Sequence, residues 1–167
     1  QTTRHSSCVY MEKKTIESNI FSQKDMNFLL ELYKKKEKMR GKFYNNTIQM
    51  YGISELNTNE ILSVFIHELG HYFDIIYLEK QVLYDVSDLF YTLSWVDVHI
   101  MKAGREKKDF VSGYAMTNKY EDFAESFIYY ILFNDDFRQK ANDSEILQKK
   151  YEFFSKKIFR NDEFKKT

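Results

Sequence analysis

Proline is absent from the 167 residues, cysteine occurs once, and there is no surplus of charge of either sign, with 25 basic residues against 25 acidic. Each absence excludes something. A lone Cys8 rules out an internal disulfide and any cysteine-rich metal site. A formal net charge of zero argues against a nucleic-acid binder, which ordinarily carries a basic excess. No uninterrupted apolar run reaches the roughly 18–20 residues that span a bilayer, so no membrane span is expected. No signal peptide is visible either, and a start at Gln1 rather than Met is expected of a processed or excised form. The lack of proline beside much Lys, Asn and Ile points to an AT-rich bacterial genome.

What is present suits one globular unit. Hydrophobic content of 43% and charged content of 30% describe a chain with enough apolar surface for a core. No repeat, linker or low-complexity tract divides it, so a single domain over 1–167 is expected. The basic run "KKKEKMR" (Lys34 to Arg40) reads as solvated cations in the last turn of a helix.

Periodicity predicts mostly helices. A first strand is expected at Ser7 to Thr15. A helix is expected over Ser22 to Gly41, with Met26, Leu29, Leu30 and Tyr33 at helical spacing. "NNTIQMYGI" (Asn45 to Ile53) alternates like a strand. The stretch from Asn57 opens on an Asn57-x-x-Glu60 cap and stays apolar on most faces, as a buried helix does. Leu89 to Trp95 is expected to be partly helical. A further helix follows the Asn118 cap, with Glu121 three residues on. A last helix carries Leu147, Tyr151, Phe154 and Ile158 on one stripe. The expected fold class is α+β, mostly helical, with a small N-terminal sheet.

The chemistry is concentrated in "FIHELGHYFD" (Phe65 to Asp74). Residues four apart lie on one helical face, so His67 and His71 can reach one metal ion together. Glu68 flanks that face as a general base toward a metal-activated water, the H-E-x-x-H arrangement of zinc peptidases. Composition alone produces this pattern about once in a hundred such chains, so the match is informative but short. Its setting adds weight, because two histidines and a glutamate on a buried apolar helix are costly unless paired or ligated. Gly70 also breaks a local rule, since it weakens a helix by roughly 1 kcal/mol relative to Ala.

A catalytic zinc takes a third protein ligand and keeps one position open. A third histidine at metzincin spacing would fall at position 77, which is Tyr77, so that class is excluded. His5 and His99 stand in no pattern. Glu121 and Glu125 in "YEDFAESF" share one helical face. One of them could bind the metal while the other takes the free ring N–H of a ligating histidine. Such a pair is ordinarily a solvated helix face. Here it lies among Phe123, Phe127, Ile128 and Ile131, with Ala124 small enough for close helix approach.

Together, "HELGHYFD" and "FVSGYAMTNKYEDFAESF" resemble the gluzincin metallopeptidases of the anthrax-lethal-factor type. Within that group the chain is similar to the Pro-Pro endopeptidases and to bacterial zinc-binding metallopeptidases with a "YA…N…EDFAE" block. The resemblance covers roughly Glu60 to Phe133. It implies a zincin-like fold and one catalytic zinc ion, with His67, His71 and Glu121 as ligands and Glu68 as base. It further implies Glu125 as a carboxylate supporting a ligand, and Tyr114 as a phenol aimed at the reacting carbonyl. Asp74 matches a recurring acid whose helical position would let it orient a histidine. Toxin relatives carry a delivery domain that these residues do not include, and some Pro-Pro enzymes have a proline after the tyrosine block that is missing here. The substrate therefore stays open.

The roles also follow from chemistry. Glu68 is placed to shuttle a proton from water to the leaving amine. A phenol stays protonated at neutral pH, so Tyr114 could donate to an oxyanion. The expected activity is that of a zinc-dependent endopeptidase acting on a peptide or protein substrate, as a secreted monomer. Two other readings are a catalytically silent zinc-binding domain that serves as a protein-binding module, and a zinc hydrolase of non-peptide amides. "NNTIQMYGI" is expected to form an exposed edge to which a substrate strand adds. Trp95 is read as core, with a place in the substrate cleft as the alternative, and Cys8 as a buried or simply free thiol.

Overall fold

In the computed structural model, residues 28–78 and 86–159 are described. The strand expected at Ser7 to Thr15, and Cys8 with it, lie outside them. The described part begins with a correction: Leu29–Tyr33 is a strand, β1, not part of a helix. Its residues satisfy both periods, and pairing decides between them. β1 lies parallel to β3 (Thr47–Tyr51), which puts Leu30 beside Ile48 and Leu32 beside Met50. Ile48 and Met50 are buried, so Leu30 and Leu32 extend an apolar face. The other face is a polar ladder. Glu31 accepts from the Tyr33 hydroxyl at 2.5 Å and from Gln49 Nε2 at 2.8 Å, and the Tyr33 and Tyr51 rings stack at 5.0 Å.

β2 (Gly41–Tyr44) pairs antiparallel with β3, giving the order β1-β3-β2. Asn45 and Asn46, with φ of 48° and 59°, form the two-residue turn between them. β3 is thus central rather than an edge, and among the described residues the edges are β1 and β2. The basic run Lys34 to Arg40 is correspondingly the connection from β1 to β2, not a helix end. Its Lys36 and Arg40 pair with Glu55.

α1 (Thr58–Tyr72) starts on the predicted cap. The Asn57 side chain accepts from the Glu60 amide at 3.0 Å, and the Glu60 carboxylate takes the Asn57 N–H at 2.9 Å. The helix runs on into a π-helical turn, Phe73–Leu78. Thr58–Leu78 is 21 residues long and, by length and composition alone, passes as a bilayer span. No single uninterrupted apolar run makes it so. Here it is a core helix that packs on the sheet and along α3, with Glu68 and Asp74 buried in it.

α2 (Val86–Ser94) leads into a short hairpin of β4 (Trp95–Asp97) and β5 (Ile100–Met101). Single 3-10 turns at Lys107–Asp109 and Tyr114–Met116 precede α3 (Lys119–Leu132). Then follow α4 (Asn134–Ala141), α5 (Glu145–Phe153) and a π turn, Phe154–Ile158. The molecule is α+β and mostly helical.

The core is aromatic. Phe123 of α3 meets Phe90 of α2 at 5.1 Å and Phe154 at 5.2 Å, while Phe127 stacks on Phe73 at 5.2 Å. Burying each such ring stabilises the fold by about 1.5–3 kcal/mol. The C-terminal stripe seals this core, since Leu147, Phe154 and Ile158 are buried and Tyr151 packs on Tyr130 and Phe137. Trp95 belongs to the core and not to a cleft, its Nε1 donating to buried Asp122 at 2.9 Å.

Candidate metal centre

Two helices build the site because small residues let them approach. A Cβ on Gly70 would stand 3.0 Å from Ala124 Cα and 3.3 Å from Phe127 Cβ, so any larger residue would make α1 or α3 give by a few tenths of an ångström, and glycine keeps the helices at their present spacing. One turn of α1 presents His67 and His71, whose ring centroids are 5.0 Å apart. α3 begins opposite them, with Asn118 Oδ1 accepting from the amides of Tyr120 and Glu121 at 2.9 and 3.0 Å. The Glu121 carboxylate is turned to the histidines.

Its Oε2 lies 3.1 Å from His67 Nε2 and 3.5 Å from His71 Nε2. On the other side of the His67 ring, Nδ1 is 3.0 Å from Glu125 Oε1. A neutral His67 that donates Nδ1–H to Glu125 leaves the Nε2 lone pair facing the Glu121 side. Glu125 Oε2 in turn accepts from the Ser112 hydroxyl at 2.5 Å. The Tyr114 ring is 5.9 Å from that of His67, and the phenol senses the charge of Glu121.

Glu68 lies on the side of α1 that meets β2. It is buried, and its carboxylate accepts from the Phe43 backbone. A Cβ on Gly41 would collide with that carboxylate and come within 2.7 Å of Val64 Cγ1, so the strand rests directly on the helix at Glu68.

The electrostatics are those of a pocket with more carboxylate than cation. Burial alone would lower the His67 pKa, but hydrogen bonds to Glu121 and Glu125 and the charge of Glu68 overcome it and raise it to about 9. Burial works against Glu121 as well, and the hydrogen bonds and charge of both histidines carry it down to about 2. Glu68 is raised, chiefly by burial, with the histidine charges opposing. Tyr114 is raised by burial and then by Glu121, which keeps the phenol protonated.

His67, His71 and Glu121 form a group whose donor atoms all lie within 4.8 Å of one another and could hold a metal ion. Donors bound at 2.0–2.1 Å to a tetrahedral ion sit roughly 3.3 Å apart. The observed 3.1 and 3.5 Å bracket that value. Two imidazoles and a carboxylate are thus gathered where they could hold one metal ion.

The structure thus brings together His67, Glu68, His71, Glu121, Glu125 and Tyr114. Asp74 is buried at the start of the π turn and faces α2: Oδ2 takes the Tyr91 hydroxyl, and its carbonyl accepts from Ser87 at 3.3 Å. Sequence reasoning missed Ser112, which no spacing rule marks, although it sits two residues before Tyr114 in the matched block. It also missed β2, hidden by the helical reading of its surroundings. Comparison with protein-family models, with curated proteins and with solved structures gives no significant match to this chain.

Proposed function

We propose that the chain is a zinc-dependent endopeptidase with a zincin-like fold, of the gluzincin kind its two sequence blocks resemble. The observation that carries this reading is the convergence of His67, His71 and Glu121 donor atoms beside the buried carboxylate of Glu68. Zinc bound there would acidify a water molecule and polarise the scissile carbonyl. Glu68, with its affinity for protons enhanced by burial, takes the proton of the attacking water and passes it to the leaving amine. Tyr114 keeps its phenolic proton and donates it in a hydrogen bond to the oxyanion. Glu125 holds the Nδ1 side of His67 and so fixes its ring.

The substrate-binding strand moves from β3 to β2. Among the described residues β2 pairs only with β3, and it crosses α1 at Glu68. An extended peptide added along its outer edge would pass the general base, held by main-chain hydrogen bonds. A zinc titration followed by chelation tests the assignment. One ion bound per chain, lost in His67→Ala and His71→Ala, with peptide hydrolysis abolished by a chelator and restored by zinc, is expected. Zinc retained by both variants would refute the ligand set.

A further inference from the structure

Ser112 uses both faces of its hydroxyl. It donates to Glu125 Oε2 at 2.5 Å, and it accepts from the Ala115 amide at 3.1 Å. The first bond leads through Glu125 Oε1 to His67 Nδ1 at 3.0 Å. The second closes the start of the 3-10 turn Tyr114–Met116, whose other bonds are Met116 N–H to the Gly113 carbonyl and Thr117 N–H to the Tyr114 carbonyl. One side chain thus ties the loop that carries Tyr114 to the carboxylate that orients a histidine.

We propose that Ser112 is a positioning residue that couples the Tyr114 turn to the metal site through Glu125. This rests on the reading of His67 as a metal ligand. A carboxylate with one oxygen on His67 and the other unconstrained can rotate about its terminal bonds. With Ser112 on the second oxygen, the plane of the carboxylate, and with it the His67 ring, is set. The Ala115 bond makes the same hydroxyl report on the turn. Loss of the hydroxyl therefore loosens both groups at once, although Ser112 touches neither the metal ligand atoms nor a substrate.

The test measures zinc affinity by competition with a chromophoric chelator, beside melting of the zinc-free and zinc-loaded protein. Ser112→Ala is expected to weaken zinc binding about tenfold, at the lower end for a group supporting a ligand. Ser112→Thr keeps the hydroxyl and restores affinity, and Ser112→Cys, a weaker donor, falls between. Placed in a Glu125→Gln background, Ser112→Ala is expected to cause no further loss, because its route to the metal is already cut. A merely structural role would lower both melting curves alike, leave affinity unchanged, and add to Glu125→Gln. Either equal affinity in wild type and Ser112→Ala or strict additivity in the double variant overturns the proposal while leaving the metal site standing. A wild type that binds no zinc overturns both.

Discussion

A single carboxylate oxygen shared by two imidazoles governs the charge state of the pocket. Hydrogen bonds to Glu121 and Glu125 and the charge of Glu68 outweigh burial and hold the His67 pKa at about 9 rather than 6.5. That contribution to stability is complete below 6.5 and disappears as pH rises through about 9. Glu121, lowered from 4.5 to about 2, contributes above 4.5 and loses its contribution as pH falls through about 2. Zinc, if held at His67 as proposed, would have to displace its proton, so binding is predicted to strengthen as pH rises toward that pKa. The zinc-free protein is therefore expected to melt lower at about pH 9 than at about pH 6, while the rise in melting temperature caused by zinc grows over the same interval. Parallel melting scans with and without zinc decide this. A zinc effect that shrinks toward alkaline pH would contradict the assignment of His67.

At the scale of elements, the spacing of α1 and α3 sets the distance between the histidines and Glu121. Gly70→Ala would gain about 1 kcal/mol of helix propensity. The added methyl, however, meets the Ala124 backbone at 3.0 Å, and a backbone atom yields less readily than a side-chain end. The expected result is a more widely separated helix pair and a loss of zinc affinity of about tenfold, read by chelator competition. Unchanged affinity would show that the helices separate without moving the ligands. The helices themselves were legible because caps and periodicity agree: Asn57 with Glu60, Asn118, and the stripe from Leu147 to Ile158 all appear as read. β1 was not legible. "LLELY" fits a helix and a strand equally, and only the distant Ile48 and Met50 select the strand. Misplacing β1 also hid β2 and made β3 look like an edge. In the site, the pairing of His67 with His71 and the place of Glu68 beside them were legible from helical spacing, whereas spacing left open which of Glu121 and Glu125 meets the histidines and the choice of Glu121 came from the resemblance. Ser112 lies on a loop, where partners are fixed by tertiary structure alone.

Across the whole molecule, one buried ion pair joins the C-terminal helix to the site. Lys150 of α5 is fully buried and reaches Asp122 Oδ2 at 2.7 Å and the Asp109 carbonyl at 2.9 Å, over the Phe110 ring at 4.1 Å. Asp122 adjoins Glu121, and Asp109 begins the segment leading to Ser112 and Tyr114. Lys150→Met would leave Asp122 buried without its cation, at a cost of about 3–5 kcal/mol in unfolding free energy by denaturant titration. A cost below about 1 kcal/mol would mean that water reaches the pair. The Lys150 pair thereby ties α5 to α3 and to the segment that precedes Ser112 and Tyr114.

Peptide-bond cleavage with Glu68 as the base is the proposed chemistry of this site. Its most direct test is mass-spectrometric profiling of a diverse peptide library with zinc-loaded wild type and zinc-loaded Glu68→Gln. Glutamine preserves the shape and cannot accept the proton. Cuts made by the wild type and absent from the variant are predicted, with a common sequence pattern around the cleaved bond. No cuts by the wild type, or the same cuts by both proteins, would rule out Glu68-dependent peptide hydrolysis.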